Sequence, residues 1–240
     1  MRFVDVRSGE ERAILACGLY SVAVGFPRAF TFTVANTTFV EVWGSDALPW
    51  VYGVGAIIVA GLGLVYVHLV RRLGLMATSV LTFGAFAALL SAAIATLHLG
   101  WGVAPVAFGL VVVTEAEFTL TNLSFWNVTN RVFTVRQAAR LFSFVSAGQS
   151  LPAIVGGCAI PWLVTRVPLE GLLLGSILGH WAAALWVGLA IPRLLPGVGL
   201  SSSPVREAEA GRRGLGLSGL IQDRYLQPVA ALLCLQVFVF

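Results

Sequence analysis

Residues 75–97 read LMATSVLTFGAFAALLSAAIATL, an apolar run without a single charged side chain. A bilayer core about 30 Å thick needs about 20 residues of helix, so this run is long enough to cross a membrane. Runs of similar length lie on both sides of it in the chain, at Ile14–Val34, Leu48–Val70, Val103–Phe125, Leu141–Thr165 and Leu169–Pro192. The sequence therefore predicts an all-α membrane protein with six transmembrane helices.

The composition of the whole chain points to the same class. Of the 240 residues, 58% are hydrophobic and 11% are charged, and the mean hydropathy is +0.90. A soluble domain carries about a quarter of charged residues, and a disordered chain carries few apolar ones, so both classes are excluded. The 3 cysteines are far apart and lie in apolar runs, which excludes a disulfide framework and a CxxC metal site. We expect all three to pack in the core as small hydrophobic residues.

The basic residues indicate the orientation in the membrane. All 15 are arginines. Arg28 lies inside the first apolar run and Arg166 in a loop on one side, whereas every other arginine falls on the opposite side. Basic loops remain in the cytoplasm. We therefore expect the N-terminus and the loop after the sixth helix to be cytoplasmic.

The chain divides into three predicted segments. Residues 1–192 form a six-helix transmembrane bundle, and residues 193–224, rich in Ser, Pro and Gly, form a flexible cytoplasmic linker. Residues 225–240 are the start of a further, truncated transmembrane helix. This layout is typical of a transporter made of two six-helix halves with 3+3 repeats. We expect a C-terminal half of the same transporter to be the partner of this bundle.

Three charged side chains lie within the predicted membrane helices, namely Arg28, Glu115 and Glu117. A charge at mid-helix costs at least about 2.5–3.5 kcal/mol on insertion scales, so such residues are usually functional. Pro27 removes a backbone donor beside Arg28 and predicts a bend there. Two residues correspond to about 200° of helix rotation, so the two glutamates face different sides. One face is expected to line a cavity; a buried ion pair that only holds the bundle together is the alternative.

Two features of the sixth run have a functional and a structural interpretation. His180 is either a proton relay or an interhelical hydrogen-bond donor. Gly171, Gly175 and Gly179 form a smooth face, suited to sliding or to static packing. No nucleophile, catalytic triad, metal cluster or basic aromatic patch is present in the sequence. We therefore expect neither an enzyme nor a cofactor, and no nucleic-acid partner.

Several short segments resemble one known family. The resemblance is carried by the helix 4 to helix 5 connection, FWNVTN at 125–130, RQAARLF at 136–142 and AGQS at 147–150, and by Glu10–Arg12, Leu48–Trp50 and Val70–Gly74. These segments resemble the ATP/ADP translocase family of nucleotide exchangers, found in plastids and bacteria, with the major facilitator architecture. The resemblance covers residues 9–192. It implies a bacterial inner-membrane protein whose partners are the lipid bilayer and a small anionic substrate such as a nucleotide.

The resemblance also implies positions for a substrate site. Glu115 occupies the place of an important acidic residue in helix 4, Asn130 that of the family's Asn, and Arg28 that of a basic residue in helix 1. The chain departs from the family at Thr31 and Phe32, where the exchangers have a Lys and then an Asp. The missing cation favours an anion with fewer charges than a nucleoside polyphosphate.

These residues form the predicted site. Arg28 is expected to bind an anionic group, Glu115 to balance charge or gate, and Asn122 and Asn130 to donate hydrogen bonds. Residues expected in gating or coupling are Glu117, His180 and Arg140. The leading hypothesis is nucleotide antiport by alternating access. The alternatives are transport of another organic anion or a proton-coupled solute on the same fold, and a non-transporting membrane anchor or sensor.

Overall fold

A computed structural model of the protein describes Arg7 and residues 9–100 and 102–196. The described part is helical and contains no strand. Six helical spans in it are long and apolar enough to cross a membrane. They are α1 (Glu11–Trp43), α2 (Leu48–Leu73), α3 (Leu75–His98), α4 (Val103–Val132), α5 (Val135–Leu163) and the span that begins with α6 (Leu169–Leu185). The prediction of six membrane-spanning helices is confirmed.

Three helix ends differ from the prediction by six residues or more, because polar residues continue the helix. One of them is the end of α4, which lies at Val132 instead of Phe125. Helix α1 runs on to Trp43 instead of ending at Val34. The Nδ2 of Asn36 donates to the Phe32 carbonyl oxygen within this extension. Helix α5 begins six residues before the predicted start at Leu141, because Thr134 and Gln137 form a capping box. The backbone N–H of Thr134 donates to Gln137 Oε1 at 3.0 Å.

The sixth span contains a local irregularity. After α6, residues Trp186–Ala190 form a π-helical segment that leads into α7 (Ile191–Leu194). Wide turns of this kind are uncommon and often occur near functional sites. The Trp186 indole donates to the Ala16 carbonyl oxygen at 3.1 Å, which ties this segment to α1.

Helix α1 is central and packs against α4, α5 and α6, while α2 packs against α4 and α3 packs against α4 and α6. Small residues allow the closest approaches. A Cβ added at Gly179 would lie 3.0 Å from Pro27, and one at Gly175 would lie 3.6 Å from Phe30. Two of the three predicted glycines of α6 therefore face α1, whereas Gly171 faces the loop before its own helix.

Two large clusters along the bundle make up most of the apolar core, and a smaller third cluster contains Tyr66 and Phe86. One cluster includes Tyr20, Phe83 and Phe125 and lies toward the predicted cytoplasmic end. The other includes Phe39 and Leu90 and lies toward the opposite end. Buried polar side chains separate the two clusters near the middle of the helices, namely Thr31, Glu117, Ser176 and His180. We call these four residues the polar layer.

The predicted linker and the predicted further helix lie almost entirely outside the described residues, as does Cys234. Cys17 is buried in the core, as expected. Cys158 was expected to be a core residue but is exposed, because α5 turns this face outward.

Candidate functional site

Arg28 lies near the middle of α1, at the edge of the polar layer. Its guanidinium carbon is 4.5 Å from the ring centroid of Phe118 on α4, a cation–π contact. The Phe118 side chain is 49% exposed, so this contact lies on an open face of the bundle. The Nη1 of Arg28 is buried and has no hydrogen-bond partner among the described residues. Arg28 therefore presents an unused cationic donor in the middle of a membrane helix.

Glu117 and His180 meet inside the bundle. Glu117 lies near the middle of α4 and His180 near the middle of the sixth span, and both are 0% exposed. Glu117 Oε1 is 3.3 Å from His180 Nε2. Neither atom makes a well-aligned hydrogen bond within the described part of the chain. When it is ionised, Glu117 is also close enough to Arg28 for its charge to act on the guanidinium.

The other ring nitrogen of His180 is held by its own helix and by α1. Nδ1 is 2.9 Å from the Ser176 carbonyl oxygen and 3.4 Å from Ser176 Oγ. Ser176 Oγ lies 2.6 Å from Thr31 Oγ1, which donates to the Pro27 carbonyl oxygen at 3.1 Å. Because the Thr31 proton is engaged with that carbonyl, Ser176 donates to Thr31. This chain of hydrogen bonds fixes the orientation of the imidazole ring.

Aromatic rings enclose the imidazole on its remaining sides. The ring centroids of Phe83 and Phe86 on α3 lie 6.3 Å and 5.9 Å from that of His180. A Glu–His pair among phenyl rings is separated from bulk solvent, so any net charge on it is costly.

Glu115 faces another side of α4, as its spacing from Glu117 predicts. It is half-buried, and a Cβ added at Gly55 of α2 would lie 3.7 Å from its Cγ. Its carboxylate acts electrostatically on Tyr52, whose hydroxyl donates to Asn36 Oδ1 at 2.9 Å. We expected Glu115 to share a ligand with Arg28. The structure instead turns Glu115 toward α2 and leaves Glu117 as the acid that acts on Arg28.

The remaining predicted residues are dispersed. Asn122 is half-buried on α4, and Asn130 is exposed near the end of the same helix. Neither of them forms a hydrogen bond with Arg28 in the described part of the chain. Arg140 Nη2 lies 2.7 Å from Glu10 Oε1 and joins the first turns of α5 to the residue before α1.

Glu10 is the centre of this junction at the end of the bundle. It accepts hydrogen bonds from the Arg7 backbone N–H at 3.1 Å and from Gln137 Nε2 at 3.1 Å. The hydrogen bond from Arg7 is the main cause that lowers the pKa of the Glu10 carboxyl, and Gln137 and Arg140 lower it further. The group is therefore held ionised where α1 meets α5.

A second polar chain was not predicted from the sequence. Ser79 Oγ donates to the Leu75 carbonyl oxygen, and Ser124 Oγ donates to Ser79 Oγ at 2.6 Å. The Tyr20 hydroxyl lies 2.9 Å from Ser124 Oγ and, since the Ser124 proton is engaged, it is the donor. All three side chains are buried, and they join α1, α4 and α3.

Sequence reasoning also missed Thr31 and Ser176 as partners of the site. Ser176 precedes His180 by four residues, the spacing that places two side chains on one face of a helix. Thr31 has the same relation to Pro27. Both signals are present in the sequence, but neither is specific, because serine and threonine often bond to the carbonyl four residues before them.

Comparison with other proteins leaves the family open. No protein-family model, curated protein or solved structure matches the chain.

Proposed function

We propose that this multi-pass membrane protein is a secondary transporter of a small anionic solute that works by alternating access. The observation that carries the proposal is the unpartnered, buried Nη1 of Arg28 at mid-helix. A guanidinium is costly at this depth, and its planar fork of donors suits a carboxylate or phosphate. A bound anion would supply the acceptor that the described residues do not.

The helix contacts support an architecture of two three-helix repeats. Exchanging α1 with α4, α2 with α5 and α3 with α6 turns the α1–α5 contact into α4–α2 and the α1–α6 contact into α4–α3. The same exchange leaves α1–α4 and α3–α6 unchanged. The most extensive contacts of the bundle form this self-consistent set. Inverted repeats with a site near the membrane midplane are typical of secondary transporters.

The class of anion follows from charge and from resemblance. The resemblance to nucleotide exchangers makes ADP and ATP the first substrates to test. Arg28 is the one arginine at mid-depth among the described helices. Each additional buried negative charge needs its own partner, so one central cation favours an anion of low charge, such as a carboxylate.

A proton-coupled solute is the second candidate, and the buried contact between Glu117 and His180 favours it. The two candidates share the anion site at Arg28. They differ in whether a pH gradient drives uptake.

Counterflow uptake into liposomes tests the proposal. The full-length gene product is reconstituted, loaded with unlabelled ADP, ATP, phosphate or succinate, and assayed with the labelled compound. We expect one of these anions to be exchanged, and we expect Arg28→Ala to abolish the exchange. Arg166→Ala is a matched control, because Arg166 also stacks on an aromatic ring, Trp162, at 4.6 Å but lies at an exposed position.

Two results would count against this proposal. If phosphate or succinate is exchanged but ADP and ATP are not, nucleotides are rejected as substrates, and the proposal of an anion transporter stands. Equal exchange by the wild type and Arg28→Ala would reject the role of Arg28.

A further inference from the structure

Three ionisable groups from three helices lie close to the middle of the bundle. Arg28 belongs to α1, Glu117 to α4 and His180 to α6. Packing fixes their proximity, because Pro27, next to Arg28, lies against Gly179, next to His180. Glu117 is adjacent in sequence to Phe118, whose ring makes the cation–π contact with the Arg28 guanidinium.

The hydrogen bonds of His180 determine which nitrogen carries a proton. A carbonyl oxygen only accepts, so the 2.9 Å contact from Nδ1 to the Ser176 carbonyl places a hydrogen on Nδ1. In the neutral ring Nε2 then has only a lone pair. An ionised carboxylate also has only lone pairs. Two acceptors 3.3 Å apart repel each other, so the contact between Glu117 Oε1 and His180 Nε2, although it is not aligned as a hydrogen bond, is favourable only when one of the two groups carries an additional proton.

We infer that Glu117 and His180 hold one exchangeable proton between them, and that its binding is coupled to the binding of an anion at Arg28. The proton lies on Oε1 in a neutral pair or on Nε2 in an ion pair. In both cases the two side chains together carry no net charge. The coupling, but not the proton site itself, rests on the proposed anion site.

The coupling follows from the charge of the three groups. With the shared proton present, Glu117 and His180 are neutral together, and the charge of Arg28 is not balanced. Without the proton, Glu117 is anionic and balances Arg28. A buried net charge is costly, so the protonated state favours a bound anion and the deprotonated state releases it. By reciprocity, anion binding raises the affinity for the proton.

Arg28 is the charged side chain that faces the pair, because Glu115, two residues before Glu117 on α4, is turned toward α2. From α1 the facing charged group is Arg28, and α3 contributes the phenyl rings of Phe83 and Phe86. Tyr66 of α2 packs in one cluster with Phe86, and Tyr20 of α1 lies against Phe83. Both tyrosines are neutral at physiological pH. On α6 the neighbour is Ser176, which is uncharged.

The first experiment tests the proton site without any anion. The full-length gene product in nanodiscs is titrated with base, and the protonated-carboxyl band is followed by infrared spectroscopy and the ring nitrogens by NMR with ¹⁵N-labelled histidine. In the wild type we expect loss of the proton to appear either as loss of the protonated-carboxyl band or as a shift of the histidine ¹⁵N resonances. We expect His180→Asn and Glu117→Gln each to abolish that transition.

The matched control is a Glu–His pair at the surface. His98 Nε2 lies 3.6 Å from Glu170 Oε2, and the two side chains are 65% and 47% exposed. His98→Asn should leave the transition of the buried pair unchanged. If neither Glu117 nor His180 changes its spectrum while the protein remains folded, or if Glu117 responds identically in wild type and His180→Asn, the shared proton is overturned.

The second experiment tests the coupling with ADP, inorganic phosphate and succinate as probes. We expect the affinity for the bound anion to rise on acidification by up to about tenfold per pH unit, the limit for one linked proton. His180→Asn should bind the anion without this dependence. Since Glu117→Gln risks misfolding, the histidine variant decides this test.

The two proposals fail in different ways. If the wild type binds the anion with the same affinity at every pH, the coupling of proton and anion binding is overturned, and the proposal of an anion transporter stands. Absence of anion binding, together with titration of the Glu117–His180 pair, overturns the proposed anion site and the coupling that depends on it, and keeps the proton site.

Discussion

Pro27 of α1 lies directly against Gly179 of α6, and this contact sets the distance between the two helices that carry Arg28 and His180. A Cβ at position 179 would lie 3.0 Å from the Cβ of Pro27 and 3.2 Å from its Cδ. The proline ring is rigid, so little adjustment is available to it. The packing of α1 on α6 therefore depends on the absence of a side chain at residue 179.

Gly179→Ala is expected to destabilise the bundle, because overpacking a tight contact costs about 1 to 3 kcal/mol. Gly175→Ala is the matched control on the same face, since its Cβ would make an ordinary contact of 3.6 Å with Phe30. Thermal unfolding in detergent micelles measures both. Equal stability of the two variants would contradict the packing described for Gly179.

Gly25→Ala tests the contact of α1 with α5. A Cβ at position 25 would lie 2.7 Å from the Gln149 carbonyl oxygen, a backbone atom that cannot rotate away. We expect a larger loss of thermal stability than for Gly179→Ala. Gly157→Ala on α5 is the control, because nothing lies within 4 Å of its added Cβ. Normal stability of Gly25→Ala would show that α1 and α5 are less closely packed.

Ser124→Ala tests the chain of hydrogen bonds in which Tyr20 donates to Ser124 and Ser124 donates to Ser79. The substitution leaves the Tyr20 hydroxyl buried without its acceptor, whereas Tyr20→Phe removes the donor and leaves no unpaired proton. Hydrogen bonds between membrane helices contribute about 0.6 kcal/mol on average, and an unsatisfied buried group costs about 1 to 3 kcal/mol. Ser124→Ala should therefore be the more destabilising of the two. The reverse order, measured by denaturant unfolding, would contradict the assigned direction.

Glu10 predicts an acid sensitivity at the junction of α1 and α5. Its pKa is lowered in the folded protein, mainly by the hydrogen bond from the Arg7 backbone. The stabilisation is therefore fully present above the unfolded-state pKa of about 4.3 and is lost as the pH falls through the lower folded-state pKa. Thermal unfolding is measured at neutral and at acidic pH. Acidification should lower the melting temperature of Glu10→Gln less than that of the wild type.

The control for this prediction is the neighbouring Glu11, which is exposed. Glu11→Gln should retain the acid sensitivity of the wild type. An identical pH profile for the wild type and Glu10→Gln would show that the junction does not depend on the ionised carboxylate.

The six membrane spans were predictable because a bilayer sets a minimum length for an apolar helix, and run length is visible in the sequence. Their ends were less predictable. Asn36 and its neighbours are polar enough to suggest a loop, but α1 continues through them. The start of α5 was missed because the capping box of Thr134 and Gln137 lies in a polar segment outside the apolar run.

The charged residues of the candidate site were visible in the sequence, but their arrangement was not. The unusual charges identified Arg28, Glu115 and Glu117, and helix rotation placed the two glutamates on different faces. Which face meets which helix depends on the relative rotation and depth of α4 and α6, and neither is encoded in local periodicity. The contact between Glu117 and His180 therefore became visible only in the folded bundle.

The anion site at Arg28 is tested most directly by equilibrium binding of ADP, inorganic phosphate and succinate to the purified full-length gene product, compared between Arg28→Ala and Arg166→Ala. This site predicts that at least one anion binds the wild type and Arg166→Ala with the same affinity, and that Arg28→Ala loses this binding while it remains folded. Undiminished binding to Arg28→Ala, or no binding of any of the three anions to the wild type, would contradict it.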